Sequence, residues 1–302
     1  MNIEQYERMR TGKGFIAALD QSGGSTPKAL QLYGVTKTDY SNETEMFDLV
    51  HQMRSRIMTS PVFTSERILA VILFEMTMKR SVEGLPSAQY LWRHKGIVPF
   101  LKIDDGLREE VNGAQLMKPI HELELRLQEA IKNEIFGTKM RSVIKLANAT
   151  GIGACVTQQF EIANQVMEAD LVPIIEPEVD INSSEKSWIE YILKRSLIEN
   201  LNALDSTQNV ILKLTLPDVA NYYSDLVDHP RVLRVAALSG GYSRTKATEL
   251  LAQNMGVIAS FSRALTEGLN VAQTDSEFDR VLDESIQKIF LASTTQGDLK
   301  PT

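Results

Sequence analysis

One cysteine, Cys155, among 302 residues has no internal partner, which excludes a fold stapled by disulfides and makes a reducing cytoplasm the expected setting. Histidine is scarce as well. His51, His94, His121 and His229 are scattered, with no short-range pairing to one another or to Cys155, so no metal site is expected. No apolar run approaches the roughly 20 residues of a membrane-spanning helix, and the opening MNIEQYERMRTGKG has no apolar core of the secretory kind. A formal net charge of −7 argues against a nucleic-acid binder, while leaving room for a small basic pocket that takes a phosphorylated metabolite.

Linkers and repeats are missing too. No low-complexity stretch or shift of composition divides the chain, which predicts one domain over residues 1–302. A nucleotide-binding fingerprint is absent: GIGAC at 151–155 follows no clean strand-to-helix transition, and its glycine pair reads as a turn.

What is present is a rhythm. Eight short β-branched or apolar runs recur, GFIAAL, ILAVILF, IVPFLKI, RSVIKLA, LVPII, NVILKL, RVLRVAAL and GVIASF. Between most of them lie stretches with helical apolar spacing, such as IHELELRLQEAI at 120–131 and SWIEYILKRSLIENLNAL at 187–204. Strands alternating with helices imply a parallel sheet, and eight such units in this length predict a TIM (β/α)8 barrel. Barrels of this kind carry their chemistry at the carboxyl ends of the strands. The groups found there are Asp20, Glu75, Lys102 with Asp104, Lys139 to Lys145, Glu176 with Glu178, Lys213, Ser239 and Arg263.

Lys213 interrupts the apolar strand NVILKLTLP. Desolvation and a neighbouring cation such as Lys139 would favour the neutral amine, the form that attacks a carbonyl; from the pattern alone, a snorkelling or paired lysine is the more ordinary reading. Glu176 and Glu178, one proline apart in LVPIIEPEV, fall on one side of an extended chain and could divide acid and base roles. Ion pairs with Lys139 or Arg141 are the structural alternative. LSGGYSR at 238–244 joins two glycines to hydroxyls, a composition that brings backbone N–H groups to phosphate oxygens. Arg263 in FSRAL follows the next run, so both groups fall at the seventh and eighth strand ends, a frequent phosphate site. LDQSGGSTPK at 19–28 could cradle a second anion or simply turn the chain.

In order, the motifs AALDQSGGS, VILFE, LKIDDG, TKMRSVIK, VPIIEPE, ILKLTLP, LSGGYS and SFSRAL resemble the class I, Schiff-base fructose-1,6-bisphosphate aldolases, in their short bacterial form, over nearly the whole chain. The resemblance implies Lys213 as the imine-forming lysine, Glu176 and Glu178 as the acid/base pair, and Lys139 as the cation beside the imine. It implies Asp20 as the aspartate that aids imine formation and C3–C4 cleavage. Ser22, Ser25, Lys102 and Arg141 would line the glyceraldehyde-phosphate side, and Ser239, Gly240, Gly241 and Arg263 the dihydroxyacetone-phosphate side. An iminium sink stands in for the Lewis-acid metal of other aldolases, so no cofactor is implied and chelators should leave activity intact.

Three departures from the animal members follow from the same resemblance. Ala29 replaces an arginine near the second phosphate, Gln21 replaces a glutamate beside the aspartate, and the ending GDLKPT lacks the terminal tyrosine. A tagatose-bisphosphate aldolase, an isomerase using Glu176 as base, and a noncatalytic sugar-phosphate-binding barrel remain alternatives. A homo-oligomer is compatible with the sequence, which selects no oligomeric state.

Overall fold

Six of the eight apolar runs become strands whose limits lie within one residue of the sequence reading, and all eight form one closed ring. A computed structural model of the chain describes residues 2–295. The strands are β1 (Phe15–Leu19), β2 (Ile68–Leu73), β3 (Val98–Lys102), β4 (Gly137–Ile144), β5 (Val172–Val179), β6 (Val210–Thr215), β7 (Val232–Leu238) and β8 (Val257–Phe261). Each pairs in parallel with its neighbours, and β1 pairs with β8 through Ile16 and Ser260, so the ring has no free edge. This is the TIM barrel expected from the strand–helix rhythm. Short antiparallel pairings at 81–86 and 114–115 decorate the rim.

The two strands misjudged in sequence are those that carry two charged residues each. Within β4 the run RSVIKLA marked only the second half, because Lys139 and Arg141 interrupt its hydrophobic pattern while the backbone stays in the ladder from Gly137. Within β5 the strand continues past LVPII through Glu176 and Glu178 to Val179, each residue paired with β4. Both glutamates therefore belong to the strand itself.

Helices pack outside the ring, beginning with α1 (Ile3–Thr11), α2 (Ser25–Leu32) and α3 (Glu43–Thr59). Asn42 caps α3 by accepting a hydrogen bond from the Glu45 amide, and Glu43 and Glu45 complement the positive helix start. Next come α4 (Leu123–Lys132), α5 (Ala149–Glu168), α6 (Lys186–Asn202), α7 (Arg244–Leu251) and α8 (Asp275–Thr294). Helix α4 begins three residues later than its apolar spacing suggested. The His121 amide is held by Asp105, and Glu122 adopts φ 51°, so residues 120–122 close a loop instead.

Helix α5 corrects a second expectation, since GIGAC lies inside its first turns. The glycine at 151 serves a close approach: a Cβ there would stand 2.3 Å from the Asn112 carbonyl oxygen. Asn148 caps the helix by accepting from the amides of Thr150 and Gly151.

Two cores result. One fills the space between ring and helices, and the other fills the ring itself with Ile16, Ala70, Ile72, Val98, Phe100, Ile174, Ile211 and Ile258. Helix α1 seals the amino-terminal end of the ring by inserting Met9 into that inner core, and Arg234 donates to the carbonyls of Met9 and Gly12 to hold it there. No helix among the described residues is long and apolar enough to cross a membrane. The ending GDLKPT, which carried the expectation about a missing tyrosine, lies outside the described residues.

Candidate active site

At the carboxyl end of the ring the inner core gives way to a cavity of about 480 Å³. Strand alternation makes the change abrupt, because residues two apart share a face. Above Ile174 stands Glu176, above Ile211 stands Lys213, and above Ala18 stands Asp20. All three polar side chains are buried, so each needs a partner.

They partner one another. The Lys213 Nζ lies 3.0 Å from Glu176 Oε1, while Lys139 Nζ lies 3.2 Å from Glu176 Oε2 and 2.6 Å from Asp20 Oδ2. Glu176 thus bridges two ammonium groups, one of them Lys213, which is 4% exposed. The strand position of Glu176 is fixed from behind by Gln159 on α5, whose Oε1 accepts from the Glu176 amide at 2.8 Å. The ends of β5 and β6 are tied by Thr215, whose hydroxyl accepts from the Val179 amide and donates to its carbonyl, each at 2.8 Å.

Charge distribution follows from burial and contacts. Burial alone would raise the Asp20 carboxyl, but attraction to Lys139 and Lys213 and the hydrogen bond from Lys139 hold it well below the usual carboxylate range. Burial alone would lower Lys139; Asp20, Glu176 and Asp104 instead push it far above an ordinary lysine. Asp20 and Lys139 are therefore a fixed ion pair at neutral pH. Lys102 is committed to Asp104, with Nζ 2.8 Å from its Oδ1 and 2.6 Å from its backbone oxygen. Arg141 donates through Nε to Glu178, and that carboxylate lifts the guanidinium above its ordinary value against the opposing effect of burial. Both ion pairs foreseen as alternatives for the glutamates are present, inside the cavity lining.

Phosphate chemistry fits the rim. Ser239 and Gly240 follow β7 and line the cavity, with Arg263 following β8. Gly240 has φ 59° and Gly241 φ 123°, and a Cβ on Gly240 would stand 2.6 Å from Ile181, so the turn demands glycine. Arg263 forms no ion pair among the described residues. On the opposite rim the Ser22 amide donates to Ser25 Oγ at 3.0 Å and that hydroxyl donates back to the Ser22 carbonyl at 2.8 Å, shaping the turn after β1. The lining carries six cations against four carboxylates in a chain whose net charge is −7. The excess suits an anionic ligand.

Residues 4–220 match the glycolytic family described as fructose-bisphosphate aldolase class-I. The chain is also 60% identical over 294 residues to the class 1 fructose-bisphosphate aldolase of Synechocystis sp., covering 97% of this chain and 98% of that protein. The chain belongs to the class I fructose-bisphosphate aldolase family. The class 1 enzyme of Porphyromonas gingivalis is 55% identical over 293 residues, covering 97% and 99%. In three dimensions the chain is similar to the fructose-bisphosphate aldolase of Plasmodium falciparum, with a TM-score of 0.75 at 20% identity over 99% and 96% of the two chains. At that identity the likeness speaks for the barrel fold.

Of the aldolase site residues expected from sequence, all but Gly241 line the one cavity. Gly241 backs it instead, where a Cβ would lie 3.4 Å from the Arg263 guanidinium. Glu75, noted as a strand-end acid, lies elsewhere and pairs with Lys79 at 2.7 Å. Sequence reasoning gave no role to Asp104, although LKIDDG displays it; it anchors Lys102 and keeps its Oδ2 buried 3.9 Å from Lys139 Nζ. Ser260 and Ser262, both in the aldolase motif SFSRAL, join the lining, as does Lys28. Arg54 was missed altogether. Its signal was a guanidinium on the stripe Met46, Val50, Met53, Ile57 that α3 buries.

Proposed function

We propose that the chain cleaves fructose 1,6-bisphosphate reversibly to dihydroxyacetone phosphate and glyceraldehyde 3-phosphate through an imine on Lys213, the step shared by glycolysis and gluconeogenesis. The contact that carries this reading is Lys213 Nζ to Glu176 Oε1 at 3.0 Å. A lysine ammonium must lose a proton before its nitrogen attacks a carbonyl, and a carboxylate at hydrogen-bond distance is the group to take it.

The sequence of bonds is then constrained. Neutral Lys213 attacks C2, and the oxygen of the carbinolamine leaves as water on receiving the proton that Glu176 holds. The iminium is the electron sink. Asp20, kept ionised by Lys139, takes the C4 hydroxyl proton, the C3–C4 bond breaks, and its electron pair forms the enamine on Lys213. Glyceraldehyde 3-phosphate departs as the aldehyde. Protonation at C3 and hydrolysis of the iminium release dihydroxyacetone phosphate and the free amine. Glu178, held by Arg141, completes the acid/base set, and Lys139 supplies positive charge beside Asp20 and Glu176 throughout.

Ser239, Gly240, Gly241 and Arg263 are assigned to the phosphate nearest the imine, and Ser22, Ser25, Lys102 and Arg141 to the far side. Two anion-binding rims favour a bisphosphate over a monophosphate. Residues 1–302 act as one barrel domain in this reading, and the cytoplasm is its compartment because sugar bisphosphates do not cross membranes unaided.

Incubation with dihydroxyacetone phosphate, EDTA and borohydride should add one reduced adduct, mapped by mass spectrometry to Lys213. Lys213→Met should abolish both adduct and cleavage, with a loss on the order of 10⁴-fold or more. Ligand binding with Lys213 unmodified would instead support the isomerase or binding-protein alternatives. Parallel assays on fructose and tagatose bisphosphates decide the stereochemical preference.

A further inference from the structure

Behind the cavity, on α3, Arg54 is fully buried. A buried guanidinium ordinarily sits against a carboxylate, yet the acceptors found here are neutral. Nη1 donates to Thr77 Oγ1 at 2.7 Å, and Nη2 donates to the Gln21 backbone oxygen at 2.6 Å and to Gln21 Oε1 at 3.2 Å. Its Nε has no hydrogen-bond partner among the described residues. The Gln21 side chain spends its amide hydrogens the other way, donating through Nε2 to Ser262 Oγ.

Those partners belong to three adjacent strand ends. Gln21 directly follows Asp20 after β1, Thr77 lies in the turn Glu75–Met78 after β2, and Ser262 follows β8 and precedes Arg263. Resting on the aldolase reading above, we propose that Arg54 is a positioning residue for the cleavage step: its guanidinium clamps the Asp20–Gln21 turn and, through Gln21, ties it to the Ser262–Arg263 rim. The clamp sets where the Asp20 carboxylate points relative to Lys213 and how far that carboxylate stands from the phosphate-side arginine.

Several observations support a positioning role over a packing role. Arg54 touches the backbone carbonyl of the residue next to Asp20, a contact an apolar side chain of equal size could not make. The cost of burying its charge is visible, since desolvation brings Arg54 down to about 10, opposed by attraction to Asp20. Thr77, the remaining anchor, is itself fixed, because its carbonyl accepts from Ser87 Oγ at 2.8 Å. Arg54 is absent from the cavity lining, so it acts through Gln21 and Asp20 and not on substrate.

The test uses the full chain and Arg54→Met, Arg54→Lys and Gln21→Leu. Active sites are counted by borohydride trapping of dihydroxyacetone phosphate run to completion. We expect Arg54→Met to lower kcat per trapped site by about 10- to 100-fold with KM changed less than about threefold, because a small misplacement of a reacting group costs rate more than binding. Arg54→Lys should recover part of the loss, and Gln21→Leu should show a smaller fall of about 3- to 10-fold. Lower melting temperatures with unchanged kcat per trapped site would overturn the proposal, since that is the result of a merely structural residue. Should the Arg54 variants fail to fold, Gln21→Leu decides alone, and an unchanged kcat there overturns it. A wild-type chain that neither traps the ketone nor cleaves the bisphosphate would sink the aldolase reading itself, an outcome distinct from active wild type with indifferent variants.

Discussion

The two halves of the barrel interior are built from the same strands and obey opposite rules. Toward the amino-terminal end Ile16, Val98, Phe100, Ile174, Ile211 and Ile258 pack against Met9, and the Arg234 guanidinium there spends its donors on the Met9 and Gly12 carbonyls. Two residues further along, the same faces carry Lys102, Glu176, Lys213 and Ser260, and Asp20 stands two beyond Ala18. The difference teaches that the apolar half holds the geometry while the polar half uses it. Buried charges are tolerated because each is partnered and the ring that bears them is closed and tightly packed.

The largest effect should come from the polar half. Glu176→Gln removes the carboxylate bridging Lys139 and Lys213 and should reduce kcat by about 10²- to 10⁴-fold, as loss of a general acid/base does. Stopped-flow trapping of the imine would show slower formation of the adduct on Lys213; an unchanged rate would break the assignment. Phe100→Ala probes the apolar half. Phe100 is buried edge-on against Phe136 at 5.4 Å between ring centroids, and its truncation should cost about 3–5 kcal/mol in urea unfolding. Turnover per folded molecule should stay within about threefold, and a parallel collapse of kcat would show that the two halves are not separable.

The smallest effect is on pH dependence. Asp20 is depressed in the folded state, so its contribution to stability is present above the unfolded value near ~4 and is lost as pH falls through the folded one. Asp20→Asn should therefore flatten the dependence of the urea midpoint on the acid side, leaving the slope above pH 6 as it was. An unaltered acid slope would contradict the ion pair with Lys139.

That division also explains what could be read from the sequence. Strands β1, β2, β3, β6, β7 and β8 were legible because their apolar runs are interrupted by at most one charged residue each, Lys102 in β3, Lys213 in β6 and Arg234 in β7. In β4 and β5 the groups that line the cavity, Lys139, Arg141, Glu176 and Glu178, limit those runs, so the sequence marked only part of each strand where the chemistry is densest. The pair of glycines at 151 and 153 misled in the opposite sense. Glycine signals a turn by backbone freedom, but at Gly151 it permits helix α5 to approach the 112–114 backbone, a tertiary reason that no local pattern carries. Most of the cavity lining was legible because strand-end position and the aldolase motifs point to the same residues. Arg54 was hidden by its place in a helix, where a lone arginine ordinarily faces water.

Closure of the ring through Ile16 and Ser260 has a consequence for biosynthesis. Asp20 leaves the ribosome well before Arg263. At about 5–20 residues per second, the first strand waits on the order of tens of seconds for its partner. Until then β1 keeps its β8-facing edge unpaired, while β2 is already covered by β1 and β3. The full constellation, which takes Asp20 from the end of β1 and Arg263 from beyond β8, comes together only when that last strand docks.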